Sequence, residues 1–204
     1  MKNPSDQTIE TYQQSFDTYV AKTRNEPSAE FREWMNVFLS YISQNGMILE
    51  IGSATGRDAR YFASKGYKIL CTDVIPKALQ KLSEEGFETA EFDFRNNPKL
   101  EWIGKFDGIF ANASLLHAPR DVFENVLRNA VGILNEGGVM AFSLKVGNGE
   151  EIMVEKLDGP RFFCLHTEPE IRSILSKLPF EIISISYVDN GTWMTVVIKL
   201  VAKP

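Results

Sequence analysis

The sequence has few of the features that mark secreted, membrane-bound or metal-binding proteins. Only two cysteines, Cys71 and Cys164, occur in 204 residues, and they lie far apart in apolar surroundings. Buried reduced thiols are therefore favoured over a disulfide or a metal site. No apolar run approaches the roughly 18 residues that suggest a membrane span, and the opening MKNPSDQTIE lacks the apolar centre of a signal peptide. We expect a cytoplasmic protein with no membrane partner and no metal.

Basic residues are outnumbered and scattered. Lys and Arg total 22 against 27 Asp and Glu, a net charge of −5, and no basic run occurs. Bulk nucleic-acid binding is disfavoured because it rests mainly on the neutralisation of phosphates. The length suits a single domain over 1–204, and nothing argues for an obligate dimer, so we expect a monomer or a weak homodimer.

Strand-like and helix-like segments alternate after residue 46. The predicted strands are Met47–Ile51, Tyr67–Thr72, Glu88–Phe92, Phe106–Ala111 and Val139–Leu144. The helices that follow strands one, two and four are predicted at about 57–64, 76–86 and 119–134. Such alternation is typical of an α/β protein with a parallel sheet and helices on both faces.

The two ends of the chain differ from this middle part. Apolar residues at helical spacing predict that 1–45 is a helical extension to an α/β core of 46–204. Near the C-terminus, Phe180–Val188 and Thr192–Val201 are joined by Asp189-Asn190-Gly191, which is a strong signal for an antiparallel hairpin. Thr167 and Glu170 are spaced as a capping box at the start of a helix.

One region before that capping box is hard to interpret. Residues 147–151 have the composition of a polar break, and 151–161 give no clear prediction. The conformation of 145–165 is therefore left open.

The turn after the first strand indicates the ligand. Its small residues are Gly52, Ala54 and Gly56, and Arg57 stands where a G-x-G-x-x-G nicotinamide fingerprint would have its last glycine. Glu50 precedes the turn, and its carboxylate would repel a pyrophosphate but suit a cationic ammonium and sulfonium. S-adenosylmethionine is a ligand of that kind. Alanine at position 54 is tolerated if its φ stays negative.

These features together resemble a known enzyme family, the class I S-adenosylmethionine-dependent methyltransferases. The resemblance is sharpest at Leu49–Arg57, Asp73, Phe106–His117 and Leu134–Leu144, and it is closest to small bacterial-type enzymes without an appended substrate domain. It implies a doubly wound, Rossmann-like, seven-stranded, mostly parallel sheet with a C-terminal antiparallel hairpin. It also implies transfer of a methyl group from S-adenosylmethionine to a small-molecule acceptor by direct displacement.

The residues expected to hold the cofactor lie after successive strands. Asp73 would accept hydrogen bonds from both ribose hydroxyls, with Val74 near the adenine. The resemblance implies that Asp93 accepts from the adenine amino group, that Phe94 flanks the ring and that Tyr19 belongs to a lid. The predicted cofactor-binding residues are Tyr19, Glu50, Gly52, Ser53, Ala54, Gly56, Arg57, Asp73, Val74, Asp93, Phe94, Asn112 and Ala113.

The methyl acceptor is expected at the carboxyl end of the fourth strand. Small residues, Asn112 to Ser114, would let an acceptor atom approach the methyl group. His117 is the candidate general base, and Lys145 is a further substrate-binding candidate. Phe162 and Phe163 are expected beside them in the acceptor pocket.

Plainer interpretations and other functions stay open. Glu50 could be a solvated acid, Asp73 a helix cap, and His117 a histidine packed at a helix start. A non-catalytic binding or regulatory protein would keep the fold but fill the space around Asn112–His117. An NAD(P)-type oxidoreductase and a nucleic-acid methyltransferase are further alternatives, which Arg57 and the lack of a basic face disfavour.

Overall fold

A seven-stranded sheet forms the centre of the computed structural model, which describes residues 4–154 and 156–201. The strands are β1 (Met47–Ile51), β2 (Lys68–Asp73), β3 (Glu88–Glu91), β4 (Phe106–Ala111), β5 (Leu134–Lys145), β6 (Gly149–Met153), β7 (Arg161–Leu165), β8 (Phe180–Val188) and β9 (Trp193–Leu200). The order in the large sheet is β3-β2-β1-β4-β5-β9-β8, and β6 pairs with β7 separately. β1 to β5 run parallel, whereas β9 is antiparallel to both β5 and β8. The predicted fold class is confirmed.

Helices flank both faces of this sheet. They are α1 (Pro4–Gln14), α2 (Phe16–Lys22), α3 (Ala29–Leu39), α4 (Arg57–Ser64), α5 (Pro76–Glu84), α6 (Arg120–Ile133) and α7 (Glu168–Leu175), with short 3-10 turns at Leu100–Trp102 and Leu115–His117. The direction of winding reverses between β1 and β4. In open α/β sheets, ligands bind beyond the carboxyl ends of the strands at this switch point.

Two apolar layers bury the sheet. Adjacent residues of β1 enter opposite layers, since Leu49 packs with α6 and α7 whereas Ile48 packs with α3 and α4. In the second layer, the rings of Trp34 and Phe38 lie 4.8 and 5.4 Å from that of Phe110. Burial on both faces explains why the parallel strands read as continuous apolar runs.

Several boundaries differ from those predicted. The first helix is interrupted at Ser15 and becomes two, and β5 begins at Leu134 instead of Val139. The region without a clear prediction forms the antiparallel pair β6 and β7. β6 has no buried residue, so its sequence lacks the apolar alternation by which a strand is recognised.

The structure also bears on the predictions about membrane spans and about the two cysteines. Among residues 4–154 and 156–201, no helix has the length and apolar character needed to cross a membrane. Cys71 and Cys164 are both free and buried, as predicted.

The contact between α3 and β4 generates a prediction about stability. A Cβ added at Gly108 would lie 2.5 Å from Ile42 Cδ1 and 2.6 Å from Cζ of Phe38. Because the Phe38 ring is fully buried, Gly108→Ala should lower the free energy of unfolding by about 1–3 kcal/mol. Urea unfolding of the ligand-free protein measures this.

Gly132→Ala is the matched control. No atom lies within 4 Å of a Cβ built at Gly132, which is in α6. That substitution should raise the free energy of unfolding by about 0.5–1 kcal/mol. Equal effects of the two substitutions would contradict the tight contact at Gly108.

Candidate functional site

A pocket of about 770 Å³, including its open mouth, lies at the carboxyl ends of the parallel strands. It occupies the switch point between β1 and β4, and its volume is typical of small-molecule sites. Most of the residues predicted for the site line it, namely Tyr19, Gly52, Ala54, Asp73, Val74, Asp93, Phe94, Asn112, Ala113, Ser114 and His117.

The remaining predicted residues lie outside the lining. Glu50, Ser53, Gly56 and Arg57 belong to the end of β1 and the turn into α4, behind the pocket wall. Lys145 does not line the pocket either, and its Nζ lies over the rings of Phe163 and Trp193, at 5.7 and 5.8 Å from their centroids. Its role in substrate binding stays a prediction. Phe162 and Phe163 also do not line the pocket.

The turn after β1 approaches β4 as closely as its backbone permits. Gly52 has φ +78°, and a Cβ there would lie 2.6 Å from Ser114 Cβ, so only glycine fits. Ala54 was expected to keep a negative φ, but its φ is +48°. This left-handed conformation costs an alanine about 1–2 kcal/mol, and the interactions of the turn must maintain it.

Asp73 supplies those interactions. Its Oδ2 accepts a hydrogen bond from the Ala54 amide at 2.8 Å, and its Oδ1 accepts from the Ile75 amide at 2.9 Å. Burial raises the pKa of Asp73, although the amide hydrogen bonds oppose this rise. Asp73 is not the N-cap of α5, because Ile75 holds that position and the helix has no side-chain capping hydrogen bond. Its carboxylate instead supports the turn and lines the pocket, as a ribose ligand requires.

Asp93 is joined to the N-terminal helix through Arg95. The guanidinium donates to Asp93 Oδ1 at 3.0 Å and to Asp93 Oδ2 at 2.9 and 2.6 Å, and it also donates to Asp6 of α1 at 2.6 Å. Burial alone would raise the pKa of Asp93, but the hydrogen bonds from Arg95 outweigh it and hold the pKa below its usual range. Arg95 also lines the pocket, and it was not among the residues predicted for the site.

A second hydrogen-bond network supports the loop after β4. Asp58 accepts from Arg57 at 2.6 and 2.8 Å and from the Asn112 amide at 2.8 Å. Ser143 donates to Asn112 Oδ1 at 2.7 Å and accepts from the Ala113 amide at 2.9 Å. The Asn112 side chain thereby donates and accepts one hydrogen bond each in holding the loop. Neither Asp58 nor Ser143 was among the residues predicted for the site.

Glu50 is a buried acid with an unsatisfied oxygen. It is 3% exposed, and its Oε2 has no hydrogen-bond partner. Burial, followed by the nearby Asp58 carboxylate, raises the pKa of Glu50 to about 8. The solvated-acid interpretation is therefore wrong. A cation placed near this carboxyl group would favour its ionised form.

The helices α1 and α2 cover the pocket as a lid. Thr8 Oγ1 accepts from the Phe162 amide, and Thr11 Oγ1 donates to the Pro160 carbonyl, both at 2.8 Å. Ser5, Thr8, Ile9, Tyr12, Phe16 and Tyr19 all contribute to the lining. The sequence could have indicated this pocket-facing side of the helices through its hydroxyl-bearing residues at helical spacing, because the buried side of a core helix is apolar.

His117 makes two hydrogen bonds that define its protonation. Its Nδ1 lies 2.6 Å from the Phe162 carbonyl, and its Nε2 lies 3.1 Å from the Tyr12 hydroxyl. A carbonyl only accepts, so Nδ1 carries the proton and Nε2 accepts from Tyr12. Burial, with the nearby Arg161 charge, lowers the pKa of His117 to about 4.

Comparison of the sequence with known proteins identifies one domain family. Residues 49–140 match the family model described as a methyltransferase domain. Among curated proteins, no sequence match was found.

Solved structures are similar over nearly the whole chain. The 1,6-didemethyltoxoflavin-N1-methyltransferase of Burkholderia thailandensis superposes with a TM-score of 0.74 at 16% identity, over 99% of this chain and 92% of that one. The CcbJ methyltransferase of Streptomyces caelestis gives 0.73 at 14% identity, over 98% and 100%. A putative Zn-dependent alcohol dehydrogenase of Rhodobacter sphaeroides gives 0.76 at 13% identity, over 99% and 100%. At these identities the similarity shows the fold alone.

Glu50 generates a prediction about pH. Its folded pKa of about 8 lies above the usual value of 4.5, so folding retains a proton that the unfolded chain releases between these values. The contribution of Glu50 to the free energy of unfolding is therefore greatest at low pH, where the buried acid is protonated, and this contribution is lost as the pH rises through 8. Because glutamine stays neutral, Glu50→Gln should have the same melting temperature as the ligand-free wild type near pH 5. At about pH 9 its melting temperature should be higher than that of the wild type.

Glu85→Gln is the control, because the pKa of Glu85 is shifted in the opposite direction from that of Glu50. Burial would raise the pKa of Glu85, but hydrogen bonds from Lys81 and Arg60 outweigh it and lower the pKa. Glu85→Gln should therefore lower the melting temperature at neutral and alkaline pH. A Glu50→Gln difference that stays constant from pH 5 to 9 would contradict the raised pKa of Glu50.

Proposed function

The chain carries a methyltransferase domain over residues 49–140 and has the class I S-adenosylmethionine-dependent methyltransferase fold, and from this premise we propose that its methyl acceptor is a small molecule. The cofactor of this fold is S-adenosylmethionine. The observation that carries the proposal is the lid, because α1 is hydrogen-bonded to residues 160 and 162 and both α1 and α2 contribute side chains to the lining of the pocket.

The residues present fit the cofactor. Gly52 offers backbone that a ligand can approach closely, and the Asp73 oxygens keep lone pairs facing the pocket for hydroxyl groups. The unsatisfied Oε2 of Glu50 lies behind the same turn, where a cationic ligand would favour its ionisation. We expect Asp93 and Phe94 to lie beside the adenine.

The reaction requires positioning more than acid–base chemistry. The bound cofactor supplies a methyl group already activated on a sulfonium. The networks of Asp73 and Asp58 fix the walls of the pocket, and the lid helices cover it. Alignment of this kind can contribute about 7–11 kcal/mol toward a displacement.

A neighbour of this fold supports the small-molecule assignment. The Burkholderia thailandensis structure contains 1,6-didemethyltoxoflavin and S-adenosylhomocysteine. The loop Asn112–His117 surrounds an open pocket in this chain, which favours an enzyme over a binding protein with a filled site.

Calorimetry with S-adenosylmethionine, S-adenosylhomocysteine and NAD tests the cofactor. We expect the two sulfur compounds to bind and NAD to give no heat. Release of S-adenosylhomocysteine with a panel of hydroxyl, amine, thiol, carboxylate and metalloid acceptors tests the acceptor class. Binding of NAD alone would overturn the assignment.

Asp73 generates a prediction about affinity. Asp73→Asn keeps one acceptor oxygen but loses the charge that strengthens hydrogen bonds from ribose hydroxyls. Its affinity for S-adenosylhomocysteine should fall about tenfold or more, a loss of about 1.4 kcal/mol. Calorimetry on the folded variant measures this.

Asp107→Asn is the matched control. Asp107 also accepts from a backbone amide, that of Met47 at 2.9 Å, and from the Asn135 side chain at 2.8 Å, but it does not line the pocket. This substitution should lower stability and leave the affinity unchanged. An unchanged affinity in Asp73→Asn would remove the ribose role of Asp73.

A further inference from the structure

The lid residue Tyr12 and His117 lie next to each other in the lining of the pocket. Its hydroxyl donates to His117 Nε2 at 3.1 Å, because His117 Nδ1–H is committed to the Phe162 carbonyl. The rings of Tyr12 and His117 meet edge to face, with centroids 5.5 Å apart. The basic nitrogen of His117 is therefore engaged by the Tyr12 hydroxyl in the ligand-free protein.

The Tyr12 oxygen has capacity left for a further hydrogen bond. It donates one proton to His117 and accepts from Arg161 Nη1 at 3.5 Å, which leaves one lone pair. Tyr12 lines the pocket, so this lone pair is available to a protic group bound there.

The charges of the lining are distributed unevenly. The charged side chains that line the pocket are Asp73, Asp93 and Arg95, and all three follow β2 or β3. The part formed by β4 and the lid presents Ser114, His117 and the rings of Tyr12 and Tyr19. No charged lining residue in that part of the described chain would compensate a charged acceptor.

We propose that the acceptor is a neutral N–H or O–H compound whose proton passes to Tyr12 while Tyr12 passes its own proton to His117 Nε2. This inference rests on the proposed methyl transfer. It makes Tyr12 the acid–base group that touches the acceptor and His117 the proton acceptor behind it.

The step balances in atoms and charge. The acceptor's lone pair forms the bond to the methyl carbon, and the carbon–sulfur pair returns to sulfur, which becomes a neutral thioether. The acceptor proton moves to Tyr12 Oη as the Tyr12 proton moves to Nε2. One positive charge leaves sulfur and one appears on the imidazole, so the charge of the closed pocket is unchanged.

The ionisable groups near His117 and Tyr12 come from several elements. Tyr12 faces His117 from the lid and Arg161 faces it from β7, while Tyr19 packs against Tyr12 and Asp73 of β2 acts on Tyr12. The pKa of His117, about 4, leaves Nε2 unprotonated at neutral pH in the ligand-free protein. Arg161 opposes the tendency of burial to raise the pKa of Tyr12.

Nitrogen NMR of the ligand-free protein tests the hydrogen bond independently of activity. The chain has only two histidines, and His166, whose ring packs 4.9 Å from that of Phe123, serves as the internal control. Wild-type His117 should show the Nδ1–H tautomer. In Tyr12→Phe the His117 Nε2 resonance should shift to that of a free nitrogen, while His166 stays unchanged. An Nε2–H tautomer in the wild type, or no shift, would overturn the relay.

Kinetics with phenol, N–H heterocycle and thiolate acceptors test the step itself. For protic acceptors, Tyr12→Phe should lower kcat by about 10²–10⁴-fold with an unchanged KM for S-adenosylmethionine. His117→Gln should act similarly, and the double variant should lose no more than either single variant. Thiolates, which have no proton to lose, should be insensitive. Turnover of anionic acceptors alone, or full activity of Tyr12→Phe, would overturn the proposal.

Tyr67→Phe is the matched control for removal of a tyrosine hydroxyl. Tyr67 donates to the carbonyls of Leu39 and Ile42, at 3.3 and 3.4 Å, and does not line the pocket. Its activity should equal that of the wild type. If none of the acceptors tested leads the wild type to release S-adenosylhomocysteine, the proposed function fails. The NMR result still decides whether the hydrogen bond between Tyr12 and His117 exists.

Discussion

The carboxylate of Asp73 is the constraint on which the pocket depends. One oxygen holds the amide of Ala54 in the turn after β1, and the other holds the amide of Ile75 at the start of α5. A buried carboxylate without partners would be costly, so these two hydrogen bonds stabilise the acid and the two segments together. Because Ala54 has a positive φ, the turn needs such an external support to keep its shape.

The floor and the cover of the pocket differ in how firmly they are held. Beneath it, Asp58, Asn112 and Ser143 form a continuous network of short hydrogen bonds. The lid is held partly by exposed ion pairs, such as Asp17 with Lys77, whose contribution is small in water. The floor is thus preformed, whereas the cover can open at modest cost to admit ligands.

Local patterns predicted much of the fold and part of the site. β1 and β4 were predicted with their observed bounds because each is a short, mainly apolar run followed by small or polar residues. β6 escaped prediction because its exposed residues show no period. The Tyr12–His117 pair joins residues 105 positions apart, and such a contact depends on the packing of the lid. For the same reason the sequence did not predict that Lys145, the last residue of β5, places its Nζ over the rings of Phe163 and Trp193.

Glu50 differs from the other acids around the pocket in its hydrogen bonding, and this difference indicates a role in ligand binding. Asp58, Asp73 and Asp93 each accept hydrogen bonds from the chain, whereas Oε2 of Glu50 is the one buried carboxylate oxygen without a partner among the described residues. A glutamine or an apolar residue would be less costly in the ligand-free protein. An acid that the fold itself does not use is best explained by a ligand that completes it. A cation beyond the turn would do so, because ionisation of Glu50 would then be offset by the ligand's charge.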